Sequence, residues 1–438
     1  MKMLRKELWS RVILSKAVGT YRKALILSLI HISLCQICIH KTYSNLYLRK
    51  ELDKAEQKDK GLITTIVYGT LQNYRLCRYQ WEDLVQKLPK AETAVLLDMS
   101  AYQLFYMDKL PAYAIINEAV EIAKKHGGKK QGALVNAVLH KIMQRGQREL
   151  PKDTLQKLAI KTSHPDWLIN MWKAQYGEET CRAICESNME TRKQCARVNL
   201  MRMSREEFLA QDNSFTAGQL ASSVYYQGTS LAHTSWYEDG MLSIQDEASQ
   251  LVAYCVDPQP KERILDVCAA PGTKSTHMAE LMQDEGEIIC GDIHEHRVEL
   301  IQQGADRLQL HSIHPVVMDA TKLQGLQEAS FDRVLCDVPC SGYGVLARKS
   351  DIKYHMQSED MDTLIPLQAA ILEKASTMVK QGGILVYSTC TLNKKENEKQ
   401  VETFLKKHEE FTLVSQRTIF PFEFGSDGFY IAKMEKKA

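Results

Sequence analysis

The sequence has no hydrophobic run long enough to cross a bilayer. Its most apolar stretch, residues 24–39, is shorter than the roughly 20 residues that a spanning helix needs, and four polar residues interrupt it. This stretch also starts too far from Met1 for an ordinary signal peptide, and no small-residue cleavage site follows it. We therefore predict a buried helix over 24–39 and no membrane partner.

Paired cysteines are lacking too. The twelve cysteines are scattered through the chain, and Cys35/Cys38 and Cys181/Cys185 are examples of pairs that lie close together. Neither pair has a second cysteine pair or a histidine pair at zinc spacing, so we predict no metal site. Scattered cysteines in a long chain are typical of a reduced compartment, which predicts a cytoplasmic protein. No feature of the sequence indicates an obligate protein partner.

The net charge is only +2, but it is unevenly distributed. Of the 438 residues, 44% are hydrophobic and 25% are charged, which argues against a disordered chain or a coiled coil. Residues 1–150 contain 25 Lys and Arg against 13 Asp and Glu, whereas residues 151–438 contain 31 against 41. A basic front region on an acidic body predicts contact with a polyanion, most simply a nucleic acid. The alternative is a basic helical domain without such a partner.

The pattern along the chain predicts three domains. Residues 1–148 have apolar residues at helical spacing and no strand-like alternation, which predicts an all-α domain. Residues 149–239 are mixed, with a helix that opens at Pro165 and a short strand over 195–200, which predicts a small α+β domain. Residues 240–438 alternate apolar strands with helical stretches, which predicts an α/β domain with a doubly wound, mostly parallel sheet.

Five short apolar runs of the last domain are predicted as buried parallel strands, over 264–267, 288–290, 316–318, 333–336 and 384–387. The first strand leads into a turn that ends in Gly272, the next three lead to Asp292, Asp319 and Asp337, and the fifth leads to Cys390. Ligands of open α/β sheets bind beyond the carboxyl ends of the strands. A single strand-end aspartate is often only a helix cap, but these five residues together predict a binding site.

The residues at this edge restrict the cofactor. The turn at Gly272 lacks both the three-glycine dinucleotide spacing and the Walker lysine context, which argues against NAD and ATP. Asp292 lies 20 residues after Gly272 and is suited to accept hydrogen bonds from ribose hydroxyls, so a nucleoside-bearing cofactor is predicted. Cys340 and Cys390 follow neighbouring predicted strands. They are either a redox pair or two participants in thiolate addition chemistry.

Three motifs together resemble the signature of S-adenosylmethionine-dependent RNA cytosine-5 methyltransferases. They are CAAPGTK at 268–274, DVPCSG at 337–342 and STCT at 388–391, and DGFY at 427–430 resembles the closing strand of that family. The segments AYQL (101–104), NEAV (117–120) and VNAVL (135–139) are similar to the NusB-like helical domain of its RsmB (Sun/Fmu) branch. RVN (197–199) and SIQDEAS (243–249) resemble the middle section of that branch. The resemblance covers residues 42–438.

The resemblance implies a Rossmann-like class I methyltransferase domain that acts on small-subunit (16S) ribosomal RNA. It implies that Cys390 adds to C6 of a cytosine, that Asp337 hydrogen-bonds the base near N3, and that Cys340 assists release of the adduct. Lys274 would fix the loop around cofactor and base. S-adenosylmethionine would be held by Cys268, Ala269, Ala270, Pro271, Gly272, Thr273, Lys274, Asp292, Asp319 and Asp337.

Two departures from the family pattern and three alternatives accompany this interpretation. Thr273 replaces the usual second glycine of the cofactor turn, so this position must avoid positive φ. Residues before 42 match the family poorly.

The alternatives are methylation of another RNA such as tRNA, a NusB-like RNA-binding regulator, and a DNA cytosine-5 methyltransferase. A DNA enzyme of this kind would attack with Cys340 instead of Cys390.

Two further groups have competing interpretations. Arg348, Lys349 and Lys353 either contact phosphates at the mouth of the site or belong to a solvated loop. An aromatic cluster before the catalytic domain either stacks unpaired bases or packs in a core, and core packing is the favoured prediction. The cluster comprises Tyr225, Tyr226, Trp236 and Tyr237.

Overall fold

The computed structural model describes residues 19–437, which form two units. The first unit extends to Met171 and also includes Lys349–His355, and the second contains Trp172–Arg348 and the chain from Met356 onward. Residues 1–18 of the predicted all-α domain lie outside the described residues. The boundaries of the three predicted domains stay predictions.

The helices are α1 (Gly19–Cys38), α2 (Ser44–Leu52), α3 (Gln57–Gln72), α4 (Tyr74–Tyr79), α5 (Ala91–Tyr106), α6 (Ala112–Arg145), α7 (Thr154–Lys161), α8 (Asp166–Tyr176), α9 (Glu178–Ser187), α10 (Arg205–Gln211), α11 (Ser235–Glu238), α12 (Glu247–Val256), α13 (Thr273–Leu281), α14 (Glu295–Leu308), α15 (Ile352–His355), α16 (Met361–Ser376), α17 (Glu398–Lys407) and α18 (Pro421–Phe424). Short 3₁₀ turns lie at Glu82–Leu84, Leu231–His233 and Ser358–Asp360.

The strands are β1 (Gln194–Val198), β2 (Phe215–Ala217), β3 (Ser223–Tyr226), β4 (Leu242–Ile244), β5 (Arg263–Asp266), β6 (Glu287–Asp292), β7 (Ile313–Val317), β8 (Phe331–Asp337), β9 (Val379–Thr389), β10 (Phe411–Ile419) and β11 (Phe429–Lys436).

The first unit is helical, and α1 lies in its core. Ile30, Leu34 and Ile37 of α1 are fully buried in a cluster that also contains Ile66 of α3 and Leu97 of α5. The buried helix predicted over 24–39 is therefore confirmed. Among residues 19–437, no helix combines the length and the apolar content that a bilayer span requires.

The longest helix of this unit, α6, is interrupted at Gly128. Gly128 has φ 78° and ψ −178°, outside the helical region, and glycine adopts this backbone conformation without steric cost. Beyond this break, Val135, Val138 and Leu139 are buried, as their helical spacing predicts.

The second unit contains a small antiparallel sheet of four strands in the order β2-β3-β1-β4. The strand predicted over 195–200 is β1. Its Val198 packs with Phe208, Phe215, Val224 and Leu242 in a core of its own. Since β4 extends from Leu242 to Ile244, this sheet reaches past residue 239, the predicted end of the small α+β domain.

The larger sheet of the second unit has seven strands in the order β10-β11-β9-β8-β5-β6-β7. The five predicted strands are β5 to β9, and they pair in parallel, which confirms the mostly parallel sheet. At the edge of the sheet opposite β7, β10 pairs with β11 and β11 pairs with β9, and both pairings are antiparallel. The strand order reverses between β5 and β8, and a crevice for a ligand forms at such a reversal.

Candidate active site

The carboxyl ends of the parallel strands bring the predicted site residues to one edge of the sheet. Strand β5 leads into the loop 267–272, β6 ends at Asp292, and Asp319 follows β7. Strand β8 ends at Asp337, and β9 ends one residue before Cys390. Because β5 and β8 are neighbours at the reversal, the loop after β5 and Asp337 flank the expected ligand crevice.

The turn after β5 requires glycine at position 272. Gly272 has φ 97°, and a Cβ there would lie 3.1 Å from the Ile301 side chain of α14. The Gly272 N–H donates to the Ala269 carbonyl at 2.7 Å, which closes the turn. Thr273 begins α13 and is not among the residues with positive φ, as its side chain requires. The backbone can therefore approach a ligand closely at this turn.

Asp292 is buried and is linked to the same turn by Arg297. Its carboxylate accepts a hydrogen bond from the His294 N–H at 3.0 Å and pairs with Arg297 at 3.1 Å. Arg297 also donates to the Ala270 carbonyl at 3.1 Å. Sequence reasoning missed Arg297, although its place in the first turns of the helix after Asp292 is a usable signal.

A second missed residue is Asp266, the last residue of β5. Its Oδ2 accepts a 2.7 Å hydrogen bond from Ser275, but its Oδ1 is buried without a hydrogen-bond partner within the described residues. Burial raises the pKa of Asp266 to about 7. Because Asp266 ends its strand as Asp292 ends β6, the same reasoning from strand ends could have found it. An unpartnered buried oxygen at this edge fits a ligand that carries a donor group.

Asp319 lies beyond β7 and is firmly ionised. The Thr321 hydroxyl and N–H donate to Oδ1 at 2.6 and 2.9 Å, and Lys322 pairs with Oδ2 at 2.9 Å. These hydrogen bonds, that of Thr321 first, lower the pKa of Asp319 to about 2.

Lys274 and Asp337 form an ion pair at the centre of the edge. The Lys274 ammonium donates to Asp337 Oδ2 at 2.6 Å, and the Ser388 hydroxyl donates to Oδ1 at 2.8 Å. Burial opposes the charge of Lys274, but the Asp337 carboxylate outweighs it, and the pKa of Lys274 is raised. The Cys390 sulfur adds to this effect. A cation therefore lies within electrostatic reach of the Cys390 thiol.

The two strand-end cysteines lie in direct contact. The Sγ atoms of Cys340 and Cys390 are 3.4 Å apart, and neither cysteine is in a disulfide. The hydrogen bond with Cys390, followed by burial, raises the pKa of the Cys340 thiol well above its usual value. This direction favours the protonated form of Cys340, and either sulfur can donate the hydrogen bond between them.

Two glycines hold the loops of these cysteines together. The Gly344 N–H donates to the Cys390 carbonyl at 3.1 Å, and the Gly428 N–H donates to the Gly344 carbonyl at 2.8 Å. A Cβ on Gly344 would overlap the Gly428 carbonyl, so only glycine fits there. The DGFY motif thus contributes a backbone contact to the site.

The basic residues predicted to contact phosphates have other partners. Lys353 is buried in the helical unit and donates to the Gln72 carbonyl at 3.2 Å, so neither the phosphate contact nor the solvated loop is correct for this residue. In the second unit, Arg348 pairs with Asp246 at 2.8 Å and with Asp427 at 3.1 Å. These two carboxylates already neutralise its charge, which removes the reason to expect a phosphate contact. Lys349 is exposed, and its phosphate contact stays a prediction.

The aromatic cluster before the catalytic domain is a packing feature. Tyr226, Trp236 and Tyr237 pack against the core of the small sheet, and the Tyr225 hydroxyl donates to Glu247. The favoured prediction of core packing is confirmed for Tyr226, Trp236 and Tyr237 but not for Tyr225. Within residues 19–437, no cluster of His, Cys, Asp and Glu could hold a metal ion.

The strand order and the strand-end residues define a Rossmann-like methyltransferase domain. A family model described as 16S rRNA methyltransferase RsmB/F matches residues 253–435, a NusB family model matches 22–144, and a model of an RsmF/B-like ferredoxin-like domain matches 164–217. The chain is 40% identical to the probable ribosomal RNA small subunit methyltransferase B of Bacillus subtilis, over 91% of this chain and 96% of that protein. It therefore belongs to the RsmB/F methyltransferase family.

Two other similar proteins extend these matches. The probable ribosomal RNA small subunit methyltransferase B of Synechocystis is 35% identical, over 89% of this chain and 95% of that protein. The crystal structure of the protein PH0851 matches with a TM-score of 0.79 at 25% identity, over 94% of this chain and 99% of that one.

The NusB match begins at residue 22, so the expectation of a poor match before residue 42 is wrong for residues 22–41.

Proposed function

We propose that this protein transfers a methyl group from S-adenosylmethionine to C5 of a specific cytosine in small-subunit ribosomal RNA, through a covalent adduct between Cys390 and C6. The observation that carries the proposal is the 3.4 Å contact between Cys340 and Cys390 at the ends of neighbouring strands, next to the Lys274–Asp337 ion pair. Thiolate addition to a pyrimidine needs this set of groups, namely a nucleophile, a proton donor and a carboxylate for the base.

The cofactor residues fit S-adenosylmethionine. The turn at 268–274 allows close backbone approach, Asp292 and Asp319 offer carboxylates to hydroxyl and amino groups, and Asp266 has a buried oxygen without a partner among the described residues. The bound cofactor would supply an electrophilic methyl group on a sulfonium.

The chain's own residues activate the base. The Cys390 sulfur forms a bond to C6, and the electron pair of the C5–C6 double bond then becomes available at C5. The positive charge of Lys274 favours the thiolate form of Cys390 that attacks. Asp337, held by Lys274 and Ser388, accepts a hydrogen bond from N3 of the base once N3 has taken up a proton from water during the attack. N3 returns that proton to water when the adduct breaks. The target cytosine must leave its stack to reach these groups.

Cys340 assists the release of the product. After methylation, the C5 proton passes to water, the electron pair of the C5–H bond re-forms the C5–C6 double bond, and the pair of the C6–S bond returns to the Cys390 sulfur. The protonated Cys340 thiol donates a hydrogen bond to that sulfur as negative charge develops on it. Breakage of the adduct therefore depends on Cys340, and its formation depends on Cys390.

Small-subunit ribosomal RNA is the proposed substrate because the curated relatives are named for it and because the NusB-like front region is basic. Another RNA such as tRNA, and a NusB-type regulator without catalysis, are the alternatives. A DNA enzyme would use Cys340 for attack. It would not need Cys390 within 3.4 Å of that nucleophile, at the end of the neighbouring strand.

A methyl-transfer assay separates these functions. Purified protein is incubated with labelled S-adenosylmethionine and with 16S rRNA from a strain that lacks this gene, with tRNA, or with DNA. We expect label only in 16S rRNA, and bisulfite sequencing should locate it at one cytosine. Label in tRNA or DNA alone, or in none of the three, would refute the proposed substrate.

A further inference from the structure

A fully buried carboxylate lies behind the two cysteine loops. Glu396 precedes α17 by two residues, and its side chain accepts four hydrogen bonds. The donors are the Ser341 N–H at 2.9 Å, the Ser341 hydroxyl at 2.6 Å, Gln368 Nε2 at 2.9 Å and Asn393 Nδ2 at 3.0 Å. All four donors are uncharged. A buried carboxylate with this many partners fixes the positions of the groups that it binds.

Three of these four hydrogen bonds brace the residues that flank Cys340. Ser341 follows Cys340 and donates through both its backbone and its hydroxyl. Gln368 of α16 donates to Glu396 and also to the Pro339 carbonyl at 2.9 Å, on the other side of Cys340. The backbone on both sides of Cys340 is therefore connected to Glu396.

The remaining contacts connect the loop after Cys390. Asn393 lies three residues after Cys390 and donates to Glu396, and the hydroxyls of Ser341 and Thr391 are 2.6 Å apart. Both thiol-bearing loops are thus attached to one carboxylate, and the two sulfurs that these loops carry are 3.4 Å apart.

We propose, on the basis of the function proposed above, that Glu396 is a positioning residue that holds Cys340 against the Cys390 sulfur while the covalent RNA adduct breaks. Glu396 acts through Cys340 and does not touch the base. The role requires a carboxylate, because an amide replaces two acceptor positions by two donors. In Glu396→Gln, the new amide group would face N–H or O–H donors that have lost their acceptor.

The test measures adduct release in the full-length protein with 16S rRNA from a strain that lacks the gene. We expect Glu396→Gln to lower steady-state methylation about 10- to 100-fold, since a displacement of about 1 Å at a reacting group costs rate on this scale. Covalent protein–RNA adduct should accumulate on denaturing gels, as in Cys340→Ala. Single-turnover formation of the adduct should stay within about twofold of the wild-type rate.

Two comparisons distinguish positioning from general damage. Glu398→Gln makes the same chemical change two residues away, where the carboxylate binds Thr418 instead of a cysteine loop, and it should release product normally. The double variant Cys340→Ala/Glu396→Gln should accumulate no more adduct than Cys340→Ala, because both changes affect one step. A change in thermal unfolding alone, with no adduct, would contradict the inference.

The outcomes also separate this inference from the proposed function. If Cys340→Ala traps RNA but Glu396→Gln turns over like wild type or forms adduct more slowly, the role of Glu396 is wrong and the cysteine mechanism stands. If neither Cys340→Ala nor Glu396→Gln traps RNA and Cys390→Ala remains active, the covalent mechanism itself is wrong.

Discussion

At the scale of single residues, Asp292 has the clearest predicted energetic role. Its buried carboxylate pairs with Arg297 and is proposed to accept hydrogen bonds from two ribose hydroxyls. Asp292→Ala should weaken S-adenosylmethionine binding by roughly 1.5–3 kcal/mol, the value of hydrogen bonds to a charged group. Isothermal calorimetry measures this change. Asp306→Ala, an exposed change in the following helix, is the control, and equal affinities in both variants would remove Asp292 from the cofactor site.

Asp266 predicts a pH dependence of stability. Burial raises its pKa in the folded protein to about 7, above the unfolded value of about 3.9. Between about pH 4 and pH 7, Asp266 binds a proton in the folded protein but not in the unfolded chain. The stability that this proton contributes is therefore full below about pH 4 and is lost as the pH rises to about 7. Asp266→Asn should therefore stabilise the protein more at pH 8 than at pH 5. Scanning calorimetry without cofactor measures this, and an equal shift in unfolding temperature at both pH values would contradict it.

At the scale of secondary-structure elements, a buried ion pair joins β1 to α13. Arg197 donates to both carboxylate oxygens of Glu280 at 2.7 and 2.8 Å, and also binds Gln245 and the Thr273 carbonyl. Both charged side chains are almost fully buried. The RVN segment thereby fixes the start of the helix that follows the cofactor turn.

Removal of one partner of this pair leaves a buried charge uncompensated. Arg197→Met should destabilise the second unit by about 3–5 kcal/mol, measured by urea unfolding. The double variant Arg197→Met/Glu280→Leu should recover most of that loss, because no charge is left buried. A single variant as stable as wild type would mean that the pair does not hold β1 to α13.

The sequence predicted β5 to β9 because these strands carry buried apolar runs, and their ends located the site. It missed β10, in which most side chains are exposed, and it placed β7 at 316–318 instead of Ile313–Val317. Edge strands bury few side chains, so their composition does not mark their bounds. Glu396 was missed because its role depends on partners such as Ser341 and Gln368, which are distant in sequence.

Lys353 illustrates the same limit for a charged residue. Between two catalytic motifs, its charge suggests a surface contact with RNA, but the segment Lys349–His355 folds into the helical unit. There the Lys353 ammonium is buried against Gln72, 281 residues earlier in the chain. No local pattern reveals a contact between residues so far apart.

At the scale of the whole molecule, the excess of basic residues in residues 1–150 predicts salt-dependent binding of RNA. Deletion of residues 1–148 should weaken RNA affinity and reduce its dependence on salt, while cofactor affinity changes little. Filter binding at several salt concentrations measures both quantities. Equal affinity and an equal salt slope in the truncated protein would give this region another role.

A variant that changes charge alone refines this experiment. The deletion also removes Ser44, which binds the Asp351 carboxylate, so it disturbs Lys349–His355 as well. Replacement of three exposed residues by Gln leaves that segment intact; they are Lys125, Lys129 and Lys130. This triple variant should reduce the salt slope by up to about 0.9 for each phosphate contact that is lost.

The central claim is that Cys390 attacks the base and Cys340 serves the release. The most direct measurement is denaturing electrophoresis of Cys340→Ala and Cys390→Ala after incubation with S-adenosylmethionine and RNA that contains 5-fluorocytosine. Cys340→Ala should migrate as a covalent protein–RNA adduct, because its nucleophile is intact, and adduct formation should increase with pH as the attacking thiol ionises. Cys390→Ala should form no adduct. An adduct with Cys390→Ala and none with Cys340→Ala would reverse the two roles and contradict the account.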